Sequence, residues 1–309
     1  MMVRNKSNNK IWKWWPVALR GPKARYGTAL WISSGLFYFA HDKFPDNGKY
    51  LTCAFYAIGV NGGVGNQLFE TWRRASVSIS DGKCCILGDI QHLMELKNER
   101  DILITDPYLQ SFKYFDHMKD ELLDSILRFD SSFYHMADEL LFDESAIRSG
   151  SFKLCVHTRR KDFVGSVLVK PSSEIFTVNS IRYIAEQVNS KEDVVVMLFG
   201  DDYEWYSKIA LENFGLDKFK VYASLPLNAT AAIVFAFARR HCDSVLLTAS
   251  ASTFGWWMAY LAKETATIYY NRYFSYPKGI VLQLNPSDFF PSNWTALALN
   301  AKGDGVTVF

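Results

Sequence analysis

The sequence predicts an α/β fold built on a parallel sheet, and two observations carry that reading. From residue 151 onward, apolar runs at 152–156, 194–199, 219–222, 244–248 and 266–270 alternate with helical patterns near 178–189, 202–214, 228–241 and 253–263. Repeated strand–helix–strand of this kind puts helices on both faces of a parallel sheet. Earlier in the chain, the apolar run Leu51–Gly59 opens into Asn61-Gly-Gly-Val-Gly-Asn-Gln67. A helical pattern follows from Leu68 to Ser80, with Leu68, Trp72, Ala75 and Ile79 on one face. Strand, glycine-rich turn and helix let backbone N–H groups and a helix N-terminus approach a phosphate or a sugar.

The chain has 309 residues, 49% hydrophobic and 16% aromatic, enough for one large or two modest cores. A net charge of +2 gives no global argument for nucleic acid. The charge is uneven, however. Residues 1–25 hold Arg4, Lys6, Lys10, Lys13, Arg20, Lys23 and Arg25 and no acid, which leaves a mildly acidic body. A mostly apolar run follows from Tyr26 to Ala40. It is shorter than the ~20 residues that a bilayer crossing prefers. Cations before it and Asp42 and Asp46 after it suit an N-terminus in the cytosol, and no small-residue cleavage site stands out. Residues 26–40 therefore read either as a short membrane anchor or as a buried hairpin or helix.

The turn at 61–67 is not a Walker A loop, which needs Gly-Lys-Ser/Thr, and it lacks the third glycine of a dinucleotide fingerprint. It can equally be a tight structural turn. Residues 83–150 carry less pattern. An acidic-start helix is expected over Asp116–Arg128, preceded by the aromatic and amide-rich run Tyr108-Leu-Gln-Ser-Phe-Lys-Tyr-Phe115. Such a run suits sugar recognition, although aromatic clusters more often build core.

The strand ends of the second half hold the chemistry. The run 152–156 discharges into His157-Thr-Arg-Arg-Lys-Asp162. Arginine stays charged and offers a planar fork for phosphate oxygens, and ligands of open α/β sheets sit at the carboxyl ends of strands. This segment reads as a diphosphate clamp or, alternatively, as a surface Arg pair salt-bridged to Asp162. The run 194–199 ends in Gly200-Asp201-Asp202, and the next-but-one ends in Thr248-Ala-Ser-Ala-Ser252-Thr253-Phe254 at a helix start. Hydroxyls and free N–H groups there form a second anion cradle, while Asp202 and Thr253 can each serve as a helix cap. No carboxylate or His stands at a spacing that would make the Asp pair a metal site.

Five cysteines (53, 84, 85, 155 and 242) show no metal spacing. Cys53 and Cys155 are expected as free, buried apolar residues, and the odd count argues against a disulfide scaffold. Two sequons, Asn228-Ala-Thr and Asn293-Trp-Thr, are acceptors only if the body is luminal.

Taken together, these segments resemble the alpha-1,2-fucosyltransferases, from about Leu51 to Ala296. Besides the stretches at 63–69, 108–115 and 156–163, the resemblance is carried by Phe199-Gly-Asp-Asp-Tyr-Glu-Trp205, Ser252-Thr-Phe-Gly-Trp-Trp-Met-Ala-Tyr-Leu261 and Phe289-Phe-Pro-Ser-Asn-Trp-Thr295. It implies a two-domain GT-B architecture, with GDP-fucose bound between an N-terminal acceptor-side domain (50–150) and a Rossmann-like donor domain (151–309), preceded by the basic N-terminus (1–49). It further implies an inverting, metal-independent hexosyltransferase with no cofactor, acting on an oligosaccharide or glycoconjugate acceptor as a single-pass type II protein of the Golgi membrane.

On that resemblance Arg159, Asp162 and His157 form the catalytic group. Arg159 would hold the β-phosphate and Asp162 would orient the Arg pair, Arg160 included. His157 and Asp201 or Asp202 would face the nucleoside. Ser252, Thr253 and Phe254 would complete the phosphate cradle, Asn66 and Gln67 would reach the donor from the other domain, and Tyr108, Gln110 and Tyr114 would meet the acceptor. The sequence departs from the family in three places. Lys161 stands where a Gly is usual, only residues 81–107 separate the first helix from the Tyr108 run, a shortening within the acceptor half, and the apolar segment 26–40 is short and close to the first strand, leaving almost no stem. The alternative is a family member that binds a nucleotide-sugar or glycan without transferring it.

Overall fold

In the computed structural model the described residues are 110–121, 128–142, 150–188, 193–213, 219–222, 230–282 and 284–309, with 50–53, 66, 68, 101–104 and 123. The expected anchor at 26–40, Gln67 and Tyr108 lie outside them. So does most of the helix expected over Leu68–Ser80, of which Asn66 and Leu68 are seen in helical conformation.

Two strands, β1 (Tyr50–Cys53) and β2 (Asp101–Ile104), pair in parallel. The main sheet follows from 151 onward: β3 (Phe152–Thr158), β4 (Val194–Gly200), β5 (Phe219–Tyr222), β6 (Ser244–Leu247), β7 (Thr267–Asn271), β8 (Thr295–Leu299) and β9 (Val306–Val308). Their spatial order is β5-β4-β3-β6-β7-β8-β9, and every neighbouring pair is parallel except β8 with β9. The α/β class and parallel sheet expected from the apolar runs are thus present. β8 and β9 were not anticipated, because the short runs at 295–299 and 306–308 have no long helix between them to mark a crossover.

The order places β3 at the centre, between β4 and β6. Side-chain alternation along it feeds two cores, as expected for a sheet covered on both faces. Leu154 and Val156 pack with helices α2 (Glu174–Gln187) and α3 (Tyr203–Asn213) through Phe176, Ile181, Ile184, Tyr206 and Ile209. Cys155, with Val195, Met197 and Phe199 of β4, joins the opposite core. That face is covered by α1 (Ser131–Phe142), α4 (Ala231–His241) and α5 (Thr253–Tyr260).

The helix expected over 116–128 is helical in each described residue from Asp116 to Glu121 and at Leu123, opening as a 3-10 turn at Asp116–Met118 and continuing as an α-turn at Lys119–Glu121; residues 122 and 124–127 lie outside the described residues, and Arg128 lies outside any helix. A separate 3-10 turn at Phe112–Tyr114 precedes it. Phe115 is fully buried and stacks on Trp257 at 5.4 Å, while Asp116 accepts from the Tyr260 hydroxyl at 2.9 Å. Lys113 pairs with Asp288, and Asp138 of α1 pairs with Arg240 and His241 of α4. The described residues of 110–142 therefore pack against the helices of the seven-stranded sheet.

Cys155 is not the free thiol expected from the sequence. It is joined to Cys242, the C-terminal cap of α4, by a disulfide across 87 residues. The pairing brings together two fully buried positions, which only the crossover from β3 to α4 makes neighbours.

Candidate active site at the carboxyl edge of the sheet

Strand β3 ends at Thr158, and the next four residues turn over the carboxyl ends of β4 and β6. The Arg159 guanidinium lies against two carboxylates. Its Nε and Nη2 donate to the two oxygens of Asp162 at 2.7 and 3.0 Å, and Nε is 3.1 Å from Asp201 Oδ2. Phe163 lies beneath it, 5.9 Å from the guanidinium carbon. Burial works against the Arg159 charge, but the hydrogen bond to Asp162 and the negative charges of Asp201 and Asp162 outweigh it and raise its pKa. In return the Arg159 hydrogen bond holds the Asp162 carboxyl below the usual range.

Asp201 does more than pair with Arg159. Its Oδ1 accepts the Arg160 backbone N–H at 2.8 Å and its Oδ2 accepts that of Lys161 at 3.2 Å. One carboxylate at the end of β4 thereby shapes the whole 159–161 turn. Both of its oxygens are already engaged by donors, which is poor provision for a cation. Among the described residues no group of three or more His, Cys, Asp or Glu is placed to hold a metal ion.

Asp202 has a separate task. Its Oδ1 accepts from the Trp205 N–H at 3.2 Å and so caps the first turn of α3. Its Oδ2 lies 3.5 Å from Arg160 Nε. The Arg160 guanidinium is also laid over the Trp205 ring at 4.5 Å, and its Nη1 donates to the Ser172 carbonyl at 2.8 Å. The two adjacent arginines therefore diverge, Arg159 towards Asp162 and Asp201, Arg160 towards Trp205 and Ser172.

His157 is 2% exposed, and no described residue provides a hydrogen-bond partner for its Nδ1. Burial first, and the Arg159 charge second, bring its pKa down to about 3. The ring is therefore neutral near pH 7. It lies against the start of α5, with the Phe254 ring 5.7 Å away. Ser252 caps that helix, accepting from the Gly255 N–H at 3.4 Å, and Thr253 is its first residue. The early N–H groups of α5, the His157 ring and the Arg159 fork thus belong to adjacent strand ends, β6 and β3.

Of the remaining expected residues, Gln110 donates from Nε2 to Asn66 Oδ1 at 2.8 Å, joining the glycine-rich turn to the aromatic run. Tyr114 lies in the 3-10 turn. Ser172, Thr248 and Trp205 were not singled out as site residues. Trp205 stands in the 199–205 segment as a recognisable aromatic, but Ser172 has no local pattern that separates it from Ser173.

Residues 95–298 match the sequence family described as glycosyl transferase family 11. Two proteins of Caenorhabditis elegans, each described as a galactoside 2-alpha-L-fucosyltransferase, are similar to this chain. One is 30% identical over 241 residues, covering 72% of this chain and 59% of the relative. The other is 30% identical over 219 residues, covering 71% and 59%. The chain thus spans about three-fifths of the length of those relatives. Among solved structures, a NodZ alpha-1,6-fucosyltransferase soaked with GDP-fucose aligns with a TM-score of 0.39 at 14% identity, over 72% of this chain and 64% of that one.

Proposed function

This chain belongs to glycosyl transferase family 11, and on that premise we propose that it transfers fucose from GDP-fucose to a galactoside-type acceptor, with inversion and without a bound metal. The observation that carries the reading is the Arg159 fork at the end of β3 beside the N-terminus of α5. An acceptor hydroxyl would attack the sugar's anomeric carbon and release its proton to solvent water, while the bond from that carbon to the β-phosphate oxygen breaks and GDP departs. Charge then grows on the departing diphosphate. Arg159 would meet that charge, as a preorganised donor is worth most where charge develops, and the α5 N-terminus with Ser252 and Thr253 would add fixed partial positive charge. Asp162 and Asp201 hold Arg159 in place. His157, neutral, supplies a ring wall against Phe254. The Asn66–Gln110 pair would approach the sugar from the glycine-rich turn, with Tyr108 and Tyr114 nearest the acceptor.

We place the body in the lumen of the secretory pathway, tethered through residues 26–40 with the basic head in the cytosol. The buried Cys155–Cys242 disulfide supports an oxidising compartment. Asn293 of the second sequon is exposed in a turn, where a glycan can be accommodated. Among the described residues no helix is long and apolar enough to cross a membrane.

The test is incubation of the purified full chain with labelled GDP-fucose and a panel of galactosides, with and without excess chelator, alongside calorimetry with GDP. The expected result is GDP binding and transfer that survives the chelator, to a narrow set of acceptors given the short 81–107 stretch. Transfer lost to chelator and recovered with manganese would make metal-independence wrong. GDP binding without transfer to any acceptor would leave a binding protein, and no GDP binding would end the donor reading.

A further inference from the structure

Beneath the two arginines runs a buried chain of hydroxyls. Ser172 and Thr248 are both fully buried, and their oxygens are 2.6 Å apart. Thr248 Oγ1 donates its proton to the His157 carbonyl at 2.8 Å, a carbonyl that the Thr248 N–H also reaches at 3.1 Å. That hydroxyl has a single proton to give. Ser172 is therefore the donor in the 2.6 Å contact, which leaves a lone pair on Ser172 Oγ to accept the Arg159 backbone N–H at 2.9 Å. The Ser172 N–H returns to the Arg159 carbonyl at 3.0 Å, and the Ser172 carbonyl takes Arg160 Nη1 at 2.8 Å. At the far end, Asn271 Nδ2 donates to the Thr248 carbonyl at 3.2 Å. The chain crosses the ends of β7, β6 and β3 and closes the loop between 159 and 172 at its base.

We infer that Ser172 and Thr248 are positioning residues for the transfer reaction: they fix the backbone from which Arg159 projects and the direction in which Arg160 points. This inference rests on the transfer reading above. Neither hydroxyl touches the substrate in it. Every donor and acceptor of the pair is used once in one direction, so the network admits one arrangement of the loop base. A loop base free to rotate would misplace the fork, and small misplacements of a catalytic group are costly.

Four variants test this. Thr248→Val removes the hydroxyl at nearly constant volume, Thr248→Ser keeps it, Ser172→Ala breaks the middle of the chain, and the fourth combines Thr248→Val with Ser172→Ala. Thr248→Val and Ser172→Ala should each lower kcat by about tenfold or more, with KM for GDP-fucose moving less than about threefold, because a misaimed fork loses stabilisation mainly in the transition state. Thr248→Ser should restore most of the kcat. The combined variant should be little worse than the poorer single, since both break one chain. A purely structural pair would lower the melting temperature and leave kcat intact, and that result, or a Thr248→Ser as poor as Thr248→Val, would overturn the inference. Should the wild-type chain transfer no fucose, the functional reading falls, and hydrogen exchange at the Arg159 amide decides the inference. Ser172→Ala should release that amide's protection, and unchanged protection would overturn the role.

Discussion

Gly255 stands so close to His157 that a Cβ added to it would lie 2.5 Å from Nδ1 and 2.8 Å from Cγ of the ring. The glycine in the first turn of α5 is thus what lets the helix start press against the histidine at the end of β3. The ring is buried and cannot swing into solvent. Gly255→Ala must push it or the helix aside, at a cost of about 1–3 kcal/mol typical of overpacking. We expect a lower melting temperature together with weakened GDP binding. A variant that melts and binds like wild type would show that the contact yields freely.

Arg159 is held by Asp162 and Asp201 at once, which a point charge cannot reproduce. Arg159→Ala should raise the transfer barrier by roughly 3–4 kcal/mol, and Arg159→Lys should recover little of it. Steady-state kinetics on both variants check this. Near-normal turnover in Arg159→Ala would remove the clamp from the mechanism.

Stability should fall on mild acidification. His157 titrates at about 3 in the folded chain, against roughly 6.5 when unfolded. Between those values the unfolded chain binds the extra proton, so the unfolding free energy rises with pH through this window and is complete above it. The His157 contribution has a slope of at most about 1.4 kcal/mol per pH unit. Burial also lowers the His241 pKa, against the opposing pull of Asp138, and this adds to the slope with the same sign. Denaturant melts from pH 7 to pH 4 measure it, and His157→Asn should flatten the curve. An equal slope in that variant would assign the effect to other groups.

The Cys155–Cys242 crosslink ties the central strand to α4 across 87 residues. Closing a loop of that length stabilises a fold by about 4.6 kcal/mol in the chain-entropy description. Replacing both cysteines by alanine should lower the unfolding free energy by about that amount, and denaturant titration would read it. A loss under about 1 kcal/mol would mean that core packing alone holds β3 to α4.

The strands and helices of 151–270 could be read from the chain because their hydrophobic periods are local, and the ends moved by only a few residues. The helix expected from 178 starts at Glu174, and the one expected to 263 stops at Tyr260. Capping was legible in part: Asp202 caps the N–H three residues on as expected, whereas α5 is capped by Ser252 and Thr253, expected as the cap, is its first residue. Aromatic composition alone could not assign Phe115, which is core against Trp257.

By itself, then, the sequence determined the α/β alternation, the family, and which residues stand at the carboxyl ends of the strands, because each depends on neighbours a few positions away. Only the tertiary structure decided what those residues touch. The order β4-β3-β6-β7 sets Asp201 under Arg160, Thr248 against Ser172 and Cys155 beside Cys242. Each of those contacts joins positions 41 or more residues apart, across crossovers whose closure no local period records. A buried serine such as Ser172 acquires its role only when the sheet brings its partners to it.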